Sequence, residues 1–474
     1  MGTINPRPVY DNEGTEEAIR QRNIIEDLKT DPRRPKRFFL STMGCQMNAR
    51  DSEKLRGILL SIGAEETAEE KADLVIYNTC CIRENAEQKV YGRLGYLKSV
   101  KRKNPGMKIA LCGCMMQEDA VIEKIRKSYP EVDLIFGTYN LYKFPELLET
   151  VLETGDQIID IWDKQKEIVE DLPSVRKSSF KASVNIMYGC DNFCTYCIVP
   201  YVRGRERSRK PENILAEIKS LAKSGVREIQ LLGQNVNSYG KGLEKPISFA
   251  KLLEMVQEVE GIERIRFMTS HPKDLSDELI EAMGRFSKVC PHFHLPLQSG
   301  SDRLLKAMNR HYDQQKYLDI ARRLKETVPG ISLTTDIIVG FPTETREDFL
   351  ETLKVVREVR FDGAFTFIYS PRIGTPAARM EQVPAEDSKK NFSELLKVLE
   401  EIGEENNRQW LGKTVEVLAE EHSKNDPSML SGRTAHNQLV HFVGGSRLIG
   451  QMVEVVITET TPFYLIGKQK NLLD

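Results

Sequence analysis

From Arg37 onward the chain alternates short, β-rich apolar runs with amphipathic stretches of helical period. RFFLSTMGC precedes a helical pattern over Asp51–Ser61, ADLVIYNTC one over Glu84–Lys98, and MKIALCGC one over Glu118–Tyr129; a fourth run, VDLIFGT, closes this series near residue 145. Near-continuous apolar strands that alternate with helices are the pattern of a parallel sheet covered on both faces. A second series follows: SVNIMYGC, REIQLLGQN, RIRFMTSHP, PHFHLPLQSG, LTTDIIVGFP and GAFTFIYSPR, each trailed by an amphipathic helix. Six such βα units fall short of the eight of a closed barrel. From about Trp410 the texture changes to short alternating strands without a long helix, in KTVEVLAEE, LVHFVGG and GQMVEVVITETTPFYLIG, which predicts a small β-barrel.

The expected class is α/β in three domains. Residues 1–35 read as a charged extension, partly disordered, and 36–145 as an N-terminal α/β domain. Residues 146–180, with DKQKEIVEDLPSVRKSSFK, read as a linker, 181–409 as a partial (β/α)6 barrel, and 410–474 as the small β-barrel.

Charge and length alter this picture little. The 474 residues are 40% hydrophobic with a formal net charge of −2, ample for several cores and nearly neutral as a whole. The polar start lacks the apolar stretch of a secretory signal and no apolar run reaches the length of a membrane span, so the expectation is a cytoplasmic protein without a membrane partner. Positive charge gathers locally in DPRRPKR, KSVKRKNPGMK and RGRERSRK, which keeps an RNA partner open. Nine cysteines, an odd number in an intracellular chain, fit metal ligation better than a disulfide framework.

Ligands of parallel α/β folds bind at the carboxyl ends of strands. Cys45, Cys80 and Cys114 each end a strand of the first series, and on neighbouring strands their thiolates would converge. Cys81, Cys112 and Cys290 read as small buried hydrophobes, although on position alone Cys81 could replace Cys80, and Cys112 could replace Cys114. In CDNFCTYC, Cys190, Cys194 and Cys197 crowd one loop after the first barrel strand. Thiolates select iron-sulfur clusters or zinc, and a structural zinc would need a fourth protein ligand that the loop does not offer. An open coordination position is the natural reading.

The Cys-x-x-x-Cys-x-x-Cys loop, with Tyr196 before its last cysteine, resembles the radical S-adenosylmethionine (SAM) superfamily, whose 4Fe-4S cluster binds SAM at its free iron. TMGCQMN, NTCCIRENA and LCGCMMQ are similar to the cysteine motifs of methylthiotransferases, which carry a second, auxiliary 4Fe-4S cluster. YGCDNFCTYCIVPYVRGRERSR, LLGQNVNSYG, SHP, HLPLQSGSD and DIIVGFPTET are similar to the tRNA branch of that family, and the C-terminal barrel to its TRAM domain. The chain departs from the family pattern at Cys81 and in Cys112-Gly113-Cys114, where Gly-Cys-Met favours Cys114.

The resemblance implies two 4Fe-4S clusters, on Cys190, Cys194 and Cys197 and on Cys45, Cys80 and Cys114. It implies SAM contacts from Tyr196, Gln234, Asn235, Ser270, His271, Gln298, Ser299, Asp336 and Gly340. It also implies a reaction that places a methylthio group on carbon 2 of N6-isopentenyladenosine at position 37 of tRNA, using two SAM molecules. Such an unactivated C–H lies outside side-chain acid-base reach, so a SAM-derived radical is required. Arg203, Arg205, Arg207 and Arg209 are candidates for gripping RNA phosphates or bases. His292 and His294 read as core histidines. The expected partners are tRNA, an external electron donor and a sulfur source that no motif specifies, and a monomer is expected. Alternatives keep the chemistry on threonylcarbamoyl-adenosine or a ribosomal-protein aspartate, or reduce the chain to an iron-sulfur RNA-binding protein.

Overall fold

Six strands build the first sheet: β1 (Arg37–Thr42), β2 (Glu65–Glu66), β3 (Leu74–Thr79), β4 (Lys108–Gly113), β5 (Leu134–Phe136) and β6 (Ile158–Asp160). They lie parallel in the order β2-β1-β3-β4-β5-β6 in a computed structural model that describes residues 15–81, 84–164 and 168–470. Every residue of β3 and β5 is buried, as the unbroken apolar runs require of strands covered on both faces. One core packs Phe38, Leu40, Leu55, Ile58 and Phe136, and the other packs Tyr77, Leu94, Leu111, Met115 and Ile125.

This sheet belongs to one of two compact units, formed by residues 1–178, 188–190 and 198–206. Its extent differs from expectation at both ends. Residues 1–14 of the expected extension lie outside the described residues, but Glu16–Thr30 is a helix, N-capped by Thr15, that buries Ala18, Gln21, Ile25 and Leu28. A glutamine within the buried stripe hid its period; Gln21 and Arg20 both donate to Glu146. Past residue 145 the expected linker instead supplies the helix Phe144–Thr154 and edge strand β6.

The second unit comprises residues 179–187, 191–197 and 207–474. Its strands are β7 (Lys181–Asn185), the short β9 (Arg207–Ser208), then β10 (Glu228–Leu232), β11 (Arg264–Phe267), β12 (His292–His294), β13 (Ser332–Val339) and β14 (Gly363–Ile368), while the short β8 (Met187–Tyr188) is divided between the two units. β11-β10-β7 and β12-β13-β14 form two parallel sheets, and a parallel bridge links Ile265 to Val289. This is the expected partial barrel. β12 keeps only three residues because Pro296, without an N–H, cannot extend its ladder. As an open edge, β14 leaves Phe365 and Phe367 half exposed, the Phe365 ring edge-on to His294 at 5.8 Å.

β15 (Thr414–His422), β16 (Met429–Thr434), β17 (Leu439–Val443), β18 (Met452–Thr460) and β19 (Leu465–Gln469) close a barrel in the order β15-β16-β17-β19-β18. Closure removes sheet edges and encloses Val417, Leu430, Phe442, Val455 and Leu465. The barrel is fastened to β11. Arg264 donates to the carbonyls of Arg433 (2.9 Å) and Glu416 (3.1 Å), and Arg266 to those of Thr434 (2.6 Å) and Ala435 (3.1 Å). Behind them, buried Glu228 pairs with Arg266 at 3.0 Å and Lys181 at 3.2 Å. No helix among the described residues is long and apolar enough to cross a membrane.

Candidate active site

The parallel register sets Thr42, Asn78 and Cys112 abreast on β1, β3 and β4, and Thr79 beside Gly113. The next residues carry Cys45, Cys80 and Cys114 past three adjacent strand ends. Gly113, at φ +96°, makes their close approach achievable, since a Cβ there would stand 2.4 Å from the Thr79 carbonyl oxygen. Asn48, in the first turn of the helix Gln46–Ser61, ties the ends together by donating to the Met43 and Thr79 carbonyls at 2.9 and 2.8 Å. Cys45 is the exposed N-cap of that helix, Cys80 is buried with its side chain against Gly44, and Cys114 is buried.

Arg203 reaches into this place. Its guanidinium, 6% exposed, donates from Nε to the Cys114 sulfur at 3.1 Å and from Nη2 to Asn48 Oδ1 at 2.7 Å, and pairs with Asp51 at 2.8 Å. A hydrogen bond from the Cys81 thiol, then the Arg203 charge, bring the Cys114 thiol down to about 6 against the opposing effect of burial. Cys81, as donor to Cys114 and buried, is pushed up; Cys112 is pushed up chiefly by burial in the core on one side of the sheet. Among the described residues no three His, Cys, Asp or Glu side chains stand positioned around a single metal ion.

The CDNFCTYC loop begins in the first unit, where the Cys190 N–H donates to the Gly204 carbonyl at 3.0 Å, and continues in the second through Cys194 and Cys197. There it is held by named bonds. Asn309 donates to the Asn192 and Phe193 carbonyls at 3.1 Å each, the Thr195 N–H to Met308, and the Cys197 N–H to Cys194. Arg310, 4% exposed, donates to the Cys194 sulfur at 3.3 Å, the Tyr196 hydroxyl at 3.4 Å and the Pro296 carbonyl at 3.2 Å. No sequence signal marked Arg310, an isolated arginine more than a hundred residues from the loop.

The strand ends of the partial barrel carry the remaining candidates. Gln234 Oε1, Asn235 Oδ1, Asn237 Oδ1 and His271 Nε2 are buried atoms with no hydrogen-bond partner among the described residues. Asn235 donates its amide to Asp274 at 2.7 Å, while burial pushes the His271 imidazole down so that it is neutral, with Nδ1 accepting from the Lys273 N–H. Leaving such groups unpaired costs about 1–3 kcal/mol each, so this cluster fits a polar ligand at the ends of β10 and β11, as SAM would be. Asn237 was not foreseen, although it lies inside the LLGQNVNSYG stretch.

The others are more internally satisfied. Ser270 donates to the His294 carbonyl, the Gln298 N–H donates to the Asp336 carbonyl at 2.8 Å, and Ser299 meets Thr352 at 3.3 Å. Asp336 lies 3.4 Å from His294 Nε2, and His292 and His294 share the Thr334 hydroxyl at 2.8 and 3.0 Å. Gly340 turns with φ +72° against Ser388, where a Cβ would stand 2.3 Å from the hydroxyl, and its N–H donates to Glu344 at 2.6 Å. That geometry gives Gly340 a packing role.

The four arginines after the loop divide. Arg205 is exposed and Arg207 half-buried. Arg203 and Arg209 are buried, the latter bonded to Glu217 at 2.8 Å and the Asn185 carbonyl at 2.6 Å. The expectation that all four grip RNA is therefore corrected for these two, because each guanidinium is already committed to a buried carboxylate.

Over 436 residues the chain is 57% identical to the tRNA-2-methylthio-N(6)-dimethylallyladenosine synthase of Lachnoclostridium phytofermentans, covering 92% of this chain and 96% of that one. The enzyme of the same name from Clostridium tetani is 56% identical over 450 residues, 94% of this chain and 99% of that one. The chain belongs to this synthase family. Within the chain, family models match residues 37–137 (uncharacterized protein family UPF0004), 184–356 (radical SAM superfamily) and 408–470 (TRAM domain). Among solved structures, the radical SAM methyltransferase TsrM from Kitasatospora setae matches with TM-score 0.53 at 14% identity, over 72% of this chain and 77% of that one. The cobalamin-dependent SAM radical enzyme OxsB matches with TM-score 0.51 at 14% identity, over 68% of this chain and about half (51%) of that one. These two likenesses bear on the fold alone.

Proposed function

We propose that the protein converts N6-dimethylallyladenosine, next to the anticodon of tRNA, to its 2-methylthio derivative. The observation that carries this reading is the meeting of the β1, β3 and β4 ends at Cys45, Cys80 and Cys114, in a chain that also holds a three-cysteine loop on a partial (β/α)6 barrel. Cys190, Cys194 and Cys197 would hold one 4Fe-4S cluster, and Cys45, Cys80 and Cys114 the other. The clusters and SAM supply electron transfer, radical formation and sulfur chemistry.

The chain's own residues position and shield. Gln234, Asn235, Asn237 and His271 offer unpaired polar atoms to SAM, and neutral His271 donates from Nε2 without adding charge. Tyr196 and Arg310 fix the loop that carries Cys194 and Cys197. Exposed Arg205, half-buried Arg207 and the C-terminal barrel supply RNA contacts, and extrusion of the target base from its stack costs a few kcal/mol that these contacts offset. An external electron donor, a separate sulfur source, a monomeric state and a cytoplasmic location complete the reading.

The test is nucleoside analysis of bulk tRNA by mass spectrometry from cells lacking the gene, then complemented with the native chain or with Cys45→Ala. Loss of the 2-methylthio nucleoside, accumulation of its N6-dimethylallyl precursor, and rescue only by the native chain are expected. Unchanged tRNA nucleosides would reject the reading, and loss of a methylthio threonylcarbamoyl nucleoside would move the chemistry to that substrate.

A further inference from the structure

Arg203 holds a costly position. A buried guanidinium requires several kcal/mol of compensation, and one carboxylate ordinarily supplies it. Asp51 does so here through Nη2, yet Nε–H is directed at sulfur, which is a weak acceptor as a thiol and a good one as a thiolate. The four groups Arg203, Asp51, Asn48 and Cys114 all lie in the first unit, on three separate pieces of chain: the helix after β1, the end of β4 and the helix Val199–Arg203.

We propose that Arg203 is a positioning residue for the auxiliary cluster, holding the Cys114 thiolate through Nε–H and raising the cluster's reduction potential against the opposing charge of Asp51. The inference rests on the reading of Cys45, Cys80 and Cys114 as the ligands of that cluster. A 4Fe-4S cluster on three thiolates is a net anion and becomes more negative on gaining an electron. A cation within hydrogen-bond reach of one of its sulfurs favours the reduced form, and a carboxylate beside that cation disfavours it. Opposite charges placed around one ligand therefore make predictions of opposite sign.

The experiment uses the full chain with Cys190, Cys194 and Cys197 replaced by alanine, so that only the auxiliary cluster contributes. After anaerobic reconstitution, iron and sulfide are counted, and the midpoint potential is read by dithionite titration followed by electron paramagnetic resonance. R203Q is expected to keep its iron while its potential falls by at least a tenfold change in the reduction equilibrium, about 59 mV for one electron. D51N, which leaves the guanidinium without its carboxylate, is expected to move the potential upward. Unmoved potentials, or shifts of the same sign in both variants, overturn the proposal. Should R203Q lose its iron, D51N decides: a rise supports the proposal and no rise overturns it. A parent chain that binds no iron defeats the ligand reading itself, and the inference with it.

Discussion

Arg310 donates from Nη1 to the sulfur of Cys194 at 3.3 Å, and the same nitrogen lies 3.4 Å from the Tyr196 hydroxyl. One buried cation thus orients the Cys194 thiol and the aromatic side chain two residues on. Arg310→Ala is expected to lower 5′-deoxyadenosine formation at least roughly tenfold, the usual scale for losing such an outer partner. Arg310→Lys, which keeps charge but loses the fork, should fall between. Assays of SAM cleavage beside iron content check this, and native-level turnover in the alanine variant would refute it.

Gly113→Ala places a Cβ 2.4 Å from the Thr79 carbonyl at a backbone conformation that L-residues avoid. Strain of this kind costs roughly 1–3 kcal/mol, and here it also pushes β4 from β3 at the level of Cys80 and Cys114. The expected result is a lower urea midpoint together with loss of about half the iron, that of the auxiliary cluster. A variant with full iron would separate the glycine from the cluster.

The strand ends were legible from sequence because unbroken apolar runs locate parallel strands, and the first three runs end in Cys45, Cys80 and Cys114. What holds those cysteines was not legible. Arg203 meets Asn48 across 155 positions and Arg310 meets Cys194 across 116, distances over which no periodicity carries information. RGRERSRK looked like one basic patch, yet Arg203 and Arg209 are drawn into the interior while Arg205 stays outside. The N-terminal helix escaped for the reverse reason: Gln21 occupies a core position and broke the pattern that Ala18, Ile25 and Leu28 make.

That division gives separable outcomes. Arg205→Ala is expected to weaken tRNA binding and reduce the slope of log affinity against log salt by about one, with folding unchanged. Arg209→Ala strands buried Glu217 and should cost roughly 3–5 kcal/mol of stability. Binding measured at several salt concentrations, beside denaturant titration, distinguishes them; an unaltered slope for Arg205→Ala removes that residue from the RNA contact.

Glu344 carries a pH signature. Burial lifts its carboxyl to about 7 from the ordinary 4.5, despite the N–H of Gly340 that it accepts. Between those values the folded chain keeps a proton that the unfolded chain has released, so stability declines as pH rises from 4.5 and levels off above 7, by up to roughly 3 kcal/mol. Glu344→Gln should flatten this part of the pH-stability curve and gain most above pH 7. An unchanged curve would show the carboxyl to be ordinary.

The C-terminal barrel is gripped by Arg264 and Arg266 largely through main-chain oxygens of Glu416, Arg433, Thr434 and Ala435. Every amino acid presents such an oxygen, so side chains at those four positions can be exchanged without disturbing most of this attachment. A barrel mounted in this way is free to drift in sequence over its outer face while its angle to the half-barrel stays fixed.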